Sequence, residues 1–103
     1  MNYRHGDVGL FEVARLPEGA SFERNEGIVL AEGEVTGHAH RIVSGAVSLW
    51  NAGEQRYITV GDGGAVLDHE EHGPLPLDPG TYECRIQRVF DYLSEDSWRR
   101  VQD

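Results

Sequence analysis

Glycine and proline interrupt this chain every eight to twelve residues, and the runs between them are short and rich in Val, Ile, Leu, Tyr and Phe. That spacing leaves no room for a long helix. It is the pattern of a small all-β domain whose strands are joined by tight turns. The runs predict strands near Val8–Ala14, Gly27–Ala31, His38–Val43, Ala46–Asn51, Tyr57–Val60, Ala65–His69 and Thr81–Tyr92. The expected fold is a barrel or roll of six to seven strands, a single domain over residues 1–103.

Turn chemistry supports this reading. In "LPEGA" (Leu16–Ala20) and "DPGT" (Asp78–Thr81) proline presets φ near −65° and a nearby glycine accepts positive φ. "VSGAV", "NAGEQ" and "VGDGGAV" are expected to be hairpin connections, because tight hairpins demand positive φ. The tail "YLSEDSWRRVQ" is different. Ser94 suits a helix N-cap, with Glu95 and Asp96 in the first turn and Arg99 and Arg100 near the end, a charge order that complements the helix dipole. A short C-terminal helix is therefore expected, with Leu93, Trp98 and Val101 resting on the barrel or on a neighbouring subunit.

Along Thr81–Tyr92 the two-residue period puts Tyr82, Cys84, Ile86, Phe90 and Tyr92 on one face and Glu83, Arg85, Gln87 and Asp91 on the other. Arg88 falls on the apolar face. Either a bulge shifts the register there or Arg88 reaches inward to a carboxylate, where it could clamp an anionic substrate. Cys84 shares the apolar face and is expected to be a small buried hydrophobe.

Composition narrows the possible partners. Eighteen acidic against nine basic side chains, all nine of them Arg, give a formal net charge of −9. A chain that acidic is poorly suited to the phosphate backbone of nucleic acid, whose binding relies on clustered cations. One cysteine excludes an intrachain disulfide and fits a reducing compartment. The start "MNYRHGDVGL" carries no signal-like apolar run, and no stretch approaches the ~20 apolar residues of a membrane helix. A cytoplasmic location follows as the expectation, with no membrane contact.

Four of the five histidines lie in "TGHAHRI" and "DHEEHGP". On a strand, His38 and His40 present both imidazoles on one face, with Cβ atoms roughly 6–7 Å apart, a span that two Zn–N bonds of about 2.1 Å can close. His69 points inward if Leu67 does, and His72 converges with it if "HEEHGP" turns, which its Gly-Pro favours. Two such pairs would build a divalent-metal site from His38, His40, His69 and His72, with Glu70 or Glu71 as an additional ligand or supporting base. Imidazole-rich ligation suits Zn²⁺, Ni²⁺, Cu²⁺ or Fe²⁺ better than Ca²⁺ or Mg²⁺. The plainer alternatives are a buried histidine–carboxylate hydrogen-bond network, or unrelated surface histidines.

"GEVTGHAHR" followed by "LDPGTY" resembles the two motifs of cupins, whose metal ligands include a His-x-His pair. The glutamate that follows that pair in cupins is absent from "RIVSGAV", and the histidine after the second motif is absent from "GTYECRIQ". Over nearly its whole length, through "HGDVGLFEVARLPEGA", "VLAEGEVTGHAHRI", "HEEHGPLPLDPGTYECRIQR" and "FDYLSEDSWRRVQD", the chain resembles a family of small uncharacterised bacterial and phage-associated proteins. The likeness implies that the blocks holding His38, His40, His69 and His72 belong to that family's pattern.

Three functions compete on these grounds. The first is a non-catalytic accessory or assembly module, homo-oligomeric or bound to a protein partner, with a histidine metal site. It is favoured by the small size and by the lack of a nucleophile–base set. The second is a cupin-like metalloenzyme in which His38, His40 and His69 hold the ion, His72 or Glu71 moves protons and Arg88 binds a small anionic substrate. The third is an adaptor whose histidines are incidental.

Overall fold

The computed structural model describes residues 1–32 and 37–86. Among them the protein is all-β: β1 (Asn2–His5), β2 (Val8–Val13), β3 (Ser21–Arg24), β4 (Val29–Glu32), β5 (Ala39–Ala52), β6 (Gln55–Asp68), β7 (Leu75–Leu77) and β8 (Gly80–Ile86). Every pairing is antiparallel, in the order β1-β2-β8-β6-β5-β3, with β4 on β5 and β7 on β6. The path has two ends, β1 and β3, and so forms an open, rolled sheet rather than a closed barrel. The expected C-terminal helix and Arg88 lie outside the described residues.

The turn readings divide. "LPEGA" turns as expected, with the Ala20 amide donating to the Pro17 carbonyl at 3.2 Å. "NAGEQ" is the hairpin between β5 and β6, a two-residue connection with Gly53 at φ 63°. "VSGAV" and "VGDGGAV" are not chain reversals. They are facing bulges inside two 14-residue strands, where the β5–β6 register jumps from Val47↔Val60 to Gly45↔Ala65. "DPGT" likewise does not reverse the chain. β7 and β8 both run antiparallel to β6, on Leu75–Leu77 and Gly80–Cys84, so Asp78–Pro79 is a break opposite the β6 bulge. Glycine is needed there because the backbones almost touch: a Cβ on Gly45, at φ 100°, would lie 2.3 Å from the Gly64 carbonyl oxygen.

These bulges decide which side chains face inward. A strand alternates strictly, and each added residue exchanges its faces. On β6, Ile58 and Val60 are buried before the bulge and Ala65 and Leu67 after it, a change from even to odd numbers. On β5 the change is from Val47 and Leu49 to Ile42 and His40. Both halves of the long hairpin thus face one core, shared with Val8, Leu10, Leu30, Tyr82 and Cys84. A fully buried Leu or Ile contributes about 1.5–3 kcal/mol there. Without the β5 bulge, the alternation set by Val47 and Leu49 would turn His40 outward.

On β8 the expected alternation is observed. Tyr82 and Cys84 are buried and Ile86 packs against the core, while Arg85 is exposed. Burial raises the Cys84 thiol to about 11, consistent with an inert core residue.

Candidate metal centre

The open end of the β5–β6 hairpin meets the β1–β2 hairpin at a cluster of imidazoles. β1 and β2 are joined through Gly6 and Asp7, with Gly6 at φ 64° as a type II′ connection requires of its first residue. That turn delivers His5 and Asp7. β5 delivers His40 and, just before its first residue, His38. The segment after β6 coils into a single turn, closed by the Gly73 amide donating to the His69 carbonyl at 2.9 Å, and so delivers both His69 and His72. "HEEHGP" therefore turns as its Gly-Pro suggested.

His40 is the hub, with 1% of its surface exposed. Its ring centroid lies 4.9 Å from that of His5, 4.3 Å from His69 and 5.7 Å from His72. His40 Nδ1 is 2.9 Å from His5 Nδ1, and His40 Nε2 is 3.0 Å from the Asp7 carboxylate. His5 Nε2–H donates to the Gly73 carbonyl at 2.7 Å. Gly6 closes this side so tightly that a Cβ there would meet His72 Nε2 at 2.6 Å and His40 Cε1 at 3.0 Å. Desolvation lowers the His40 pKa to about 4, helped by repulsion from His69, His5 and His72 and opposed by Asp7. His40 is thus a neutral imidazole near pH 7, the form in which a ring nitrogen can ligate a metal.

Two groups of side chains converge closely enough to hold an ion. One is His40, His69 and His72, the other His38, His69 and Glu70, and within each the ligand atoms lie within 4.8 Å of one another. Ligand nitrogens of a tetrahedral Zn²⁺ ion lie about 3.4 Å apart, so side chains as far as 4.8 Å from one another must close in by up to about 1.4 Å to share one ion. The four histidines read from the sequence thus gather at one end of the molecule, but they divide between the two groups. His38 sits apart from the first trio; its Nδ1 is buried without a hydrogen bond, 3.5 Å from the Glu71 carboxylate. Glu70 accepts a hydrogen bond from the Ala39 amide at 2.9 Å, which lowers its pKa and ties the turn to the start of β5.

His5 and Asp7 were missed at the sequence level. Their signal is the Gly-Asp pair just before the apolar run Val8–Phe11, a hairpin connection that carries a histidine at its entrance. Cys84 belongs to the hydrophobic core and to neither converging group. Of two surface clefts away from the imidazoles, one is lined by Val13, Arg15, Leu16, Pro17, Glu18 and Tyr57, the other by residues 25–28, 42–45 and 47.

Residues 4–87 match a family described as a domain of unknown function, DUF8820, a span that includes all five histidines. No curated protein and no solved structure matches the chain.

Proposed function

We propose, from the premise that this chain belongs to the DUF8820 family, that it is a small accessory or assembly module carrying a divalent transition-metal ion in the histidine cluster around His40. The convergence of His40, His69 and His72 donor atoms within 4.8 Å carries this reading. Imidazole donors point to Zn²⁺, Ni²⁺, Cu²⁺ or Fe²⁺. The site lies at the end of the paired strands β5 and β6, beyond Arg41↔Asp68, where the β1–β2 hairpin reaches them through side chains, His5 touching His40 and the Gly73 carbonyl. A structural role is favoured because His40, the hub of the cluster, is almost wholly buried, with Gly6 packed so closely beside it that a Cβ would not fit.

Homo-oligomer formation or a protein partner, without nucleic acid or membrane, completes the proposal. β3 ends the sheet path and leaves Phe22 53% exposed, a strand edge of the kind proteins cover by association. Among the described residues no helix is long and apolar enough to cross a membrane.

The test is elemental analysis and calorimetric titration of tag-free protein with Zn²⁺ and Ni²⁺. The expected result is about one ion per chain and a higher melting temperature in its presence. Less than about a tenth of an equivalent bound, with unchanged melting, refutes the metal reading.

A further inference from the structure

The converging trios omit His5, yet its geometry is that of a ligand. A carboxylate only accepts a proton, so the His40 nitrogen facing Asp7, Nε2, carries the hydrogen, and the lone pair with which the ring can ligate is at Nδ1. By the same logic the Gly73 carbonyl assigns the hydrogen of His5 to Nε2 and leaves a lone pair at its Nδ1. These two lone pairs face each other across 2.9 Å. Two acceptors cannot be neighbours at that distance unless a cation lies between them, either a proton or a metal ion. Metal-bound histidines characteristically donate their second N–H to a carboxylate or a backbone carbonyl, which fixes both tautomer and ring orientation. His40 and His5 have one such partner each.

We infer that His5 and His40 form the primary chelating pair of the metal centre, both through Nδ1, with Asp7 and the Gly73 carbonyl holding their Nε2–H groups in place. The inference rests on the metal reading proposed above. Its distances are compatible with an ion: with metal–nitrogen bonds of about 2.1 Å, a separation near 3.0 Å corresponds to a bite of roughly 90°, and roughly 3.4 Å to the tetrahedral angle. The observed pair is close to the first and half an ångström from the second. His72 lies beside the pair, its ring centroid 5.6 Å from that of His5 and 5.7 Å from that of His40. His69 is differently engaged. Its Nδ1 accepts the Glu71 amide at 3.0 Å and the His72 amide at 3.4 Å, which puts its hydrogen on Nε2. To ligate, His69 would exchange these two ring contacts for the metal bond, while the turn keeps its Gly73–His69 backbone hydrogen bond.

Zn²⁺ titration of the tag-free full chain and of His5→Ala, combined with ¹⁵N-imidazole NMR of the wild type, tests this assignment. His5→Ala is expected to weaken Zn²⁺ binding about tenfold or more. In the wild type, Zn²⁺ should move the Nδ1 resonances of His5 and His40 while both Nε2 remain protonated. Wild-type binding with an unchanged His5 ring, or ligation through Nε2, overturns the pairing but leaves the metal reading intact. Absence of Zn²⁺ binding to the wild type overturns both. The NMR result decides the assignment even if His5→Ala does not fold.

Discussion

Gly6→Ala separates the crowding at the histidine cluster from the ordinary cost of a turn. Gly6 and Gly53 occupy equivalent positions, the first residue of a two-residue hairpin connection, at φ 64° and 63°. A side chain in that left-handed region costs roughly 1–2 kcal/mol at either place. They differ in what the new methyl would meet. At Gly53 nothing lies within 4 Å, whereas at Gly6 it would reach His72 Nε2 at 2.6 Å, His72 Cδ2 at 2.9 Å and His40 Cε1 at 3.0 Å. His72 is exposed and can swing aside, but His40 is buried and held by its contacts to His5 and Asp7. Forcing a methyl group into such a site costs about 1–3 kcal/mol beyond the backbone term. Thermal unfolding of the two variants, each with chelator, should therefore place Gly6→Ala below Gly53→Ala by roughly 4–8 °C for each of those kcal/mol. Zn²⁺ titration should show weakened binding in Gly6→Ala only. Equal melting temperatures and equal Zn²⁺ affinities would show that the cluster is looser than described, and the argument from close approach would fail.

Without metal, stability should fall as pH drops from about 6.5 to about 4, because the unfolded chain protonates the His40 position before the folded one does. At about 1.4 kcal/mol per pH unit the gap amounts to on the order of 3 kcal/mol. Urea unfolding at pH 7 and pH 4.5 measures it, and a decline as large in His40→Asn as in the wild type would refute the assignment to His40. Gly45→Ala should lose about 3 kcal/mol or more, because its Cβ would strike backbone atoms, the Gly64 oxygen at 2.3 Å and Ala65 Cα at 2.6 Å; a circular-dichroism melt within a few degrees of wild type contradicts this. Cys84 is 5% exposed and its thiol is raised to about 11, so a thiol reagent at pH 8 should label it only in denaturant. Stoichiometric labelling of the native protein within minutes would refute that burial.

How much of this was legible in the sequence depended on the range of the interaction. Alternation over Thr81–Ile86 located the buried face of β8, because Tyr82 and Cys84 need only a pleat to share a side. The Gly-Pro after His72 announced a turn for an equally local reason. The bulges were misread because Gly45 and Gly64 have the same positive φ in a bulge as in a hairpin. What distinguishes the two is the approach of one strand's backbone to the other across the sheet, which local sequence does not encode. β3 and β7 escaped notice because four exposed residues and three residues around a proline carry no alternation. His5 was hidden for the opposite reason: its partners, His40 and Gly73, are 35 and 68 residues away.

That distance also explains why a cation suits this location. The rolled sheet packs β1 against β5 and the turn after β6, and among the described residues no strand ladder crosses that contact. Apolar side chains could have filled it, as they do beneath, where Leu67 and Val8 are fully buried. The sequence instead places histidines at positions 5, 38, 40, 69 and 72. Their ring nitrogens face one another at 2.9 Å and converge within 4.8 Å, and Asp7 balances a cation on the far side of His40. Buried polar atoms are costly unless paired, and lone pairs that face each other are paired only by a positive charge. In a hydrogen-bonded histidine–carboxylate network alone, donors would alternate with acceptors. Between His5 and His40 the nitrogens left over by Asp7 and the Gly73 carbonyl meet, a gap that a proton or a metal ion closes, and it is the further histidines gathered around His40 that favour the metal ion over a polar contact that merely closes the fold.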